Sequence, residues 1–129
     1  MYLAPRIRYA QHDVEDFHNT FRVEVGEYPA IRAPLLRRAL IMEEITELVT
    51  AIAAGDLPGA VDGIIDAIYV LLGTAVTFGV DIEPIWMAVH RSNMAKIGGT
   101  IRADGKVLKP AGWIAPDIES ELERQGWLP

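Results

Sequence analysis

Cysteine is absent from this chain of 129 residues, which excludes disulfide bonds and thiolate metal sites. Histidine is scarce: His12 and His18 fall in the first predicted helix, and no second histidine stands at metal-ligand spacing with His18, which reads as a packing or surface residue. Positive charge is in deficit. The net charge of −6 argues against a general binder of nucleic-acid polymers or anionic membranes. Uninterrupted apolar runs are missing too, because Asp66, Gly73 and Gly79 break the stretch from Ile64 to Val80 and speak against a membrane span. Met1 to Ala10 holds no apolar core segment of the kind a secretory signal needs, so a cytoplasmic location is expected. No internal repeat, low-complexity tract or linker divides the chain, and residues 1–129 are expected to form a single domain. What is present is a composition 50% hydrophobic and 23% charged, suited to one globular core.

Against that background, the carboxylates between Glu43 and Asp66 stand out. Glu43-Glu44-Ile45-Thr46-Glu47 is followed, after Gly55-Asp56-Leu57-Pro58-Gly59, by Asp62-Gly63-Ile64-Ile65-Asp66. Spacings of three and four place Glu43, Glu44 and Glu47 on one side of a helix, and Asp62 and Asp66 on one side of the next. A short break folds the two helices antiparallel, so that both acidic sides converge. Two carboxylates about 5.5 Å apart repel by roughly 3 kcal/mol at an effective dielectric of about 20. Such a cluster needs protonation, a basic partner or a cation, and hard cations such as Mg²⁺ take oxygen ligands. An ordinary solvated acidic face is the competing reading. Asp66 decides for a metal site, because it opens the run Ala67-Ile68-Tyr69-Val70-Leu71-Leu72 and is expected to be buried there.

The flanking pattern is helical throughout. Val14, Phe17, Phe21 and Val25 predict a first amphipathic helix over Ala10 to Val25, with Asp13, Glu15 and Asp16 near its start, where the helix dipole favours them. Pro34 opens a second helix running to Ala54, apolar over much of its circumference and so expected to be buried on more than one side. Arg32, Arg37 and Arg38 precede its acids and read equally as solvated charges or phosphate ligands. A third helix spans Pro58 to Phe78, with Gly79 as its stop, and Gly73 within it leaves room for a close helix approach or a ligand. Asp81 caps a fourth helix with Ile85, Trp86 and Val89 on its apolar side; it continues to Lys96 and stacks His90, Asn93 and Lys96 on one face. Thr100 to Lys109 reads as a small hairpin turning at Ala103-Asp104-Gly105, and Asp117 to Gln125 as a last short helix. The fold class is all-α, a four-to-five-helix bundle with a small C-terminal hairpin or loop extension.

Taken in order, these segments resemble the all-α nucleotide pyrophosphohydrolases, the superfamily of MazG-like proteins, dimeric dUTPases and phosphoribosyl-ATP pyrophosphohydrolases. Its signature is two glutamates, two further residues and a third glutamate, then a glutamate and an aspartate three apart on the next helix. From His90-Arg91-Ser92-Asn93-Met94-Ala95-Lys96 through Gly105-Lys106-Val107-Leu108-Lys109-Pro110 to Trp113 and Pro116-Asp117, the chain is similar to the phosphoribosyl-ATP pyrophosphohydrolase-like branch. One position departs: Gly63 stands where the family has glutamate, and Asp62 is the nearest acid.

The resemblance implies a helical bundle that is a dimer or a dimer of dimers. Helices two and three, with Trp86 and Trp113, carry more apolar surface than one small unit can bury, so a homodimer or homotetramer with the active site near the subunit contact is expected. The resemblance also implies Mg²⁺, with Mn²⁺ able to substitute, at Glu44, Glu47, Asp62 and Asp66, and hydrolysis of a (deoxy)nucleoside triphosphate to the monophosphate and pyrophosphate. Candidate substrates are dUTP or another non-standard or pyrimidine nucleotide, with phosphoribosyl-ATP as the alternative. Glu43, left off the metal, would take a proton from the attacking water. Lys96 and Lys109 would meet phosphate charge, and Asn93 would orient sugar, base or phosphate. His90 reads as a substrate contact or as a histidine at a helix end, and Trp113 as a base-stacking or an anchoring residue. A non-catalytic helical dimerisation module is the reading from another class. A di-iron bundle is set aside, because neither Glu44 nor Glu47 has a histidine three residues on.

Overall fold

The described residues form five helices: α1 (Arg6–Phe21), α2 (Pro34–Ala53), α3 (Leu57–Phe78), α4 (Ile82–Met94) and α5 (Ile118–Arg124). The computed structural model describes residues 6–129, and the expected all-α architecture is what it shows. The helix signals act as read for most boundaries. Pro34 supplies the preset φ at the start of α2. Gly79, at φ 69°, ends α3 in the left-handed conformation, and the Asp81 carboxylate accepts from the Glu83 N–H at 3.2 Å to cap α4. Asp56 caps α3, accepting from the Gly59 N–H at 3.0 Å.

Helix α1 departs from expectation at both ends, beginning at Arg6 rather than Ala10 and ending at Phe21 rather than Val25. Its stop is Arg22, which takes φ 58° so that the Val23 N–H reaches back to the His18 carbonyl at 2.8 Å. This is a Schellman turn built on arginine, where the usual residue is glycine. Asp13, Glu15 and Asp16 consequently lie in mid-helix, and the first turn of α1 carries no acid, so the dipole argument for them fails. Helix α4 stops at Met94, with Ala95 as its cap, short of Lys96. The expected hairpin is reduced to a single antiparallel bridge, Ile101 with Val107, around an Arg102–Asp104 ion pair and Gly105 at φ 91°. Asp117 caps α5 from outside it.

The core lies where α1 crosses α3, with Val14, Leu72 and Val76 at its centre and Ile7, Ala10, Val25 and Ile82 packed around them. Helix α4 packs on α1 and α5. On its other side, α3 runs antiparallel against α2 in the most extensive helix contact of the fold. Gly63 sets the closeness of that seam, since a β-carbon there would stand 3.0 Å from Leu48 Cα and 3.1 Å from Leu48 Cβ. Further along, Arg37 is 4% exposed. Its guanidinium donates to the Val70 carbonyl at 2.8 Å and to Thr74 Oγ1 at 3.1 Å, tying α2 to α3. Arg37 is therefore neither a solvated charge nor a free phosphate ligand. Gly73 makes the room: its missing β-carbon would lie 2.8 Å from Arg37 Nη2 and 3.0 Å from His18 Nε2. His18 is buried, and its Nδ1–H donates to the Glu24 carbonyl at 3.0 Å. Arg32 likewise turns inward, donating to the Thr77 carbonyl at 3.3 Å and lying over the Tyr28 ring.

The far side of the α2–α3 pair is bare. Leu35, Met42, Ile45, Val49 and Ile52 on α2, and Leu57, Val61, Ile64, Ile68 and Leu71 on α3, are all exposed. From Met42 on α2, and throughout the α3 set, they follow the alternating three-four spacing of a helix-packing seam. In the single chain, α2 is thus covered chiefly on the side that faces α3, not on several sides. Trp86 and Val89 on α4 are exposed as well. By length and composition alone, α3 would suffice to cross a membrane, yet it carries Asp62 and Asp66 and packs on α1 and α2.

Replacing Gly63 with alanine is expected to destabilise the protein. Overpacking against the Leu48 backbone costs about 1–3 kcal/mol, offset by up to about 1 kcal/mol of helix propensity. A lowered urea midpoint is the expected result; a raised one contradicts the close seam.

Candidate active site

The α2–α3 seam gathers the carboxylates. Glu44 sits on α2 one turn before Leu48, in the line Arg37, Leu40, Glu44, Leu48 that faces α3, and is half-buried. Asp66, expected to be buried, is half-buried one turn after Gly63, while Glu43, Glu47 and Asp62 are exposed at the margin. All five residues predicted from the sequence come together here. Burial of the Glu44 carboxyl raises its pKa above the usual 4.5, and the charges of Glu47, Asp66, Glu43 and Asp62 raise it further. Every charge acting on Glu44 is negative. Among the described residues, Glu44 Oε2 is enclosed with no hydrogen-bond partner.

Those two observations fit a cation. An enclosed carboxylate oxygen without a donor, acted on by the charges of four more carboxylates, lacks a positive partner, and a hard divalent ion supplies one. Among the described residues, no three acidic or imidazole groups already form a chelating set. The exposed Glu43, Glu47 and Asp62 side chains retain the rotamer freedom to close on an ion.

Gly63 also accounts for the displaced acid. A glutamate at position 63 would place its β-carbon about 3.0 Å from Leu48 Cα, so the seam as packed disfavours it. Asp62 is one residue aside, exposed, and among the groups acting on Glu44. It does not cap α3, a role Asp56 fills.

The second group of predicted residues assembles elsewhere. Lys96 Nζ donates to Asn93 Oδ1 at 2.9 Å. The ammonium groups of Lys96 and Lys109 lie 5.4 and 4.8 Å from the centre of the Trp113 ring. Trp113 Nε1 donates to the Ser92 carbonyl at 2.7 Å, anchoring the C-terminal extension to α4. His90 is exposed one turn before Asn93. No hydrogen bond, ion pair or cation–π contact among the described residues joins this basic group to the carboxylates.

A family model described as phosphoribosyl-ATP pyrophosphohydrolase matches residues 14–93. The chain belongs to this family. It is therefore a pyrophosphohydrolase, a hydrolase acting on phosphorus-containing anhydrides. No curated protein matches the chain. The family match takes in the second half of α1, all of α2 and α3 and nearly all of α4, and so holds all five carboxylates with His90 and Asn93. Lys96, Lys109 and Trp113 lie beyond it.

The charge arrangement generates a pH test. Glu44 has a folded-state pKa above 4.5, so its contribution to stability is fully present below pH 4.5 and is lost as pH rises through the folded value. In chelator at pH 7, Glu44→Gln should raise the melting temperature by a few degrees, and the gain should vanish on acidification to the ordinary carboxylate range. Added Mg²⁺ should reverse the order by stabilising only the wild type. A lower melting temperature for the variant in chelator at pH 7 would contradict the reading.

Proposed function

We propose that this chain is a Mg²⁺-dependent nucleotide pyrophosphohydrolase that converts a (deoxy)nucleoside triphosphate and water to the monophosphate and pyrophosphate. Candidate substrates include dUTP and other non-standard or pyrimidine nucleotides. The convergence of four carboxylates on the enclosed, partnerless Glu44 oxygen carries this reading. Glu44, Glu47, Asp62 and Asp66 would hold the ion, and Mn²⁺ would serve in its place. The ion, when bound, offsets phosphate charge and acidifies water. Glu43 is exposed beside the set and takes the proton of the attacking water on its carboxylate. Lys96 and Lys109, held together with Asn93 around Trp113, are assigned to the outer phosphates, with His90 at the edge of that patch. Phosphoribosyl-ATP is the second substrate to weigh, because the matching family is described by its hydrolysis. A dimerisation module with merely solvated acids does not account for an enclosed carboxylate oxygen.

A panel of nucleoside triphosphates and phosphoribosyl-ATP, assayed with Mg²⁺ for pyrophosphate release, tests the proposal. Glu43→Gln should lower turnover about 10²–10⁴-fold, the span of general-base catalysis. Asp62→Ala should lose metal affinity and turnover as severely as Asp66→Ala. Native turnover in the Asp62 variant would remove it from the ligand set, and no hydrolysis of any panel member by the wild type would overturn the activity.

We also propose a homodimer or homotetramer formed through the bare apolar side of α2 and α3, the protein acting as one domain in the cytoplasm. The stripe on α2 lies roughly 170° around the helix from the mean direction of Glu43, Glu44 and Glu47 at about 100° per residue, so the contact backs the active-site helices and leaves the acids open. Ile45→Glu combined with Val49→Glu should shift the sedimentation mass to that of a monomer. An unchanged mass, or a monomeric wild type, would contradict this interface.

A further inference from the structure

Three aromatic side chains adjoin the carboxylates on the same chain. Tyr69 follows Asp66 by one turn of α3, in the line Asp62, Asp66, Tyr69, and the rise between the last two is only about 4.5 Å. The Phe17 ring meets Tyr69 edge-on at 5.6 Å, and Phe21 leans on Phe17 at 4.6 Å. All three are open to solvent, Phe21 at 63%, Phe17 at 42% and Tyr69 at 38% exposed. The Schellman turn at Arg22 stops α1 directly after Phe21, so no further turn of helix covers its ring. Trp113, by contrast, is engaged by two ammonium groups and a hydrogen bond to α4.

We propose that Phe17, Phe21 and Tyr69 form the platform on which the base of the nucleotide stacks while its phosphates lie at the carboxylates. The inference rests on the active-site reading above and adds a specificity element to it: the site selects phosphate esters that carry a planar aromatic base. Charge and position commit the platform to that occupant. An aromatic surface one turn from a polyphosphate-metal site is offered to whatever is covalently attached to the phosphates. Stacking on aromatic side chains is tolerant of base identity, so the platform discriminates a nucleotide from a bare polyphosphate more than one base from another.

Binding of a non-hydrolysable nucleoside triphosphate analogue and of inorganic tripolyphosphate, each with Mg²⁺, tests the platform in the full chain. Phe21→Ala should weaken the analogue about ten-fold, within the range measured for loss of one stacking partner, while leaving tripolyphosphate affinity as in the wild type. Phe21→Tyr should restore analogue binding. Phe21 is exposed, so the alanine variant should melt close to the wild type. Equal weakening of both ligands, or of neither, would overturn the platform while leaving the carboxylate site standing. A changed sedimentation mass with unchanged analogue affinity would make the trio a subunit contact and overturn it too. If the wild type bound neither ligand, the underlying active-site reading would fall first.

Discussion

The closeness of α2 and α3 governs everything else in this protein. Gly63 lets the Leu48 backbone approach to a distance tighter than nearly all β-carbon contacts, and Arg37 fastens the other end of the seam through Val70 and Thr74. Between these two points lies Glu44, within reach of the negative charges of both helices. A wider seam would let water reach Glu44 Oε2 and would dissipate the electrostatic tension that a cation relieves. Gly63 holds the helices close, and Asp62 beside it is exposed at the margin of the acidic group.

The pair of helices has two contrasting sides. One carries the carboxylates and, a turn further on α3, Tyr69 against Phe17 of α1; the other carries two apolar stripes without a partner among the described residues. Few apolar side chains are fully buried within the single chain, centred on Val14, Leu72 and Val76. Assembly through the stripes would convert exposed apolar area into buried area at about 25 cal/mol per Å². That gain would hold the active-site helices in place against the repulsion among the acids. The proposed reaction and the proposed assembly would draw on the same two helices from opposite sides.

Much of this was legible in the sequence, and the reasons are local. Pro34, Gly79, Asp81 and Asp117 act within one turn of themselves, so their spacing alone reveals where α2, α3, α4 and α5 begin or end. The three-four spacing of Glu43, Glu44 and Glu47, and of Asp62 and Asp66, is equally local, and the structure gathers all five. The end of α1 was not legible, because a left-handed arginine looks like any other arginine until the His18 carbonyl is seen to claim the Val23 N–H. Burial of Arg37 depends on Gly73 and His18, residues far from it in the chain, and no window on α2 contains them. The platform had a readable signal in Tyr69 three after Asp66 and Phe21 four after Phe17, but only the packing of α1 on α3 joins the two pairs. The basic group around Trp113 came together as its residue types suggest, although no short-range rule relates it to the acids.

The central claim is that the carboxylates around Glu44 form a divalent-cation site, and direct observation of metal binding tests it with least inference. Electron paramagnetic resonance of free Mn²⁺, titrated against the protein without nucleotide, reports the ion itself rather than turnover. The account predicts saturable loss of the free-ion signal with the wild type, its recovery on adding excess Mg²⁺, and little loss with Glu44→Gln or Asp66→Asn. Equal Mn²⁺ uptake by the wild type and both variants, or none by the wild type, would contradict it.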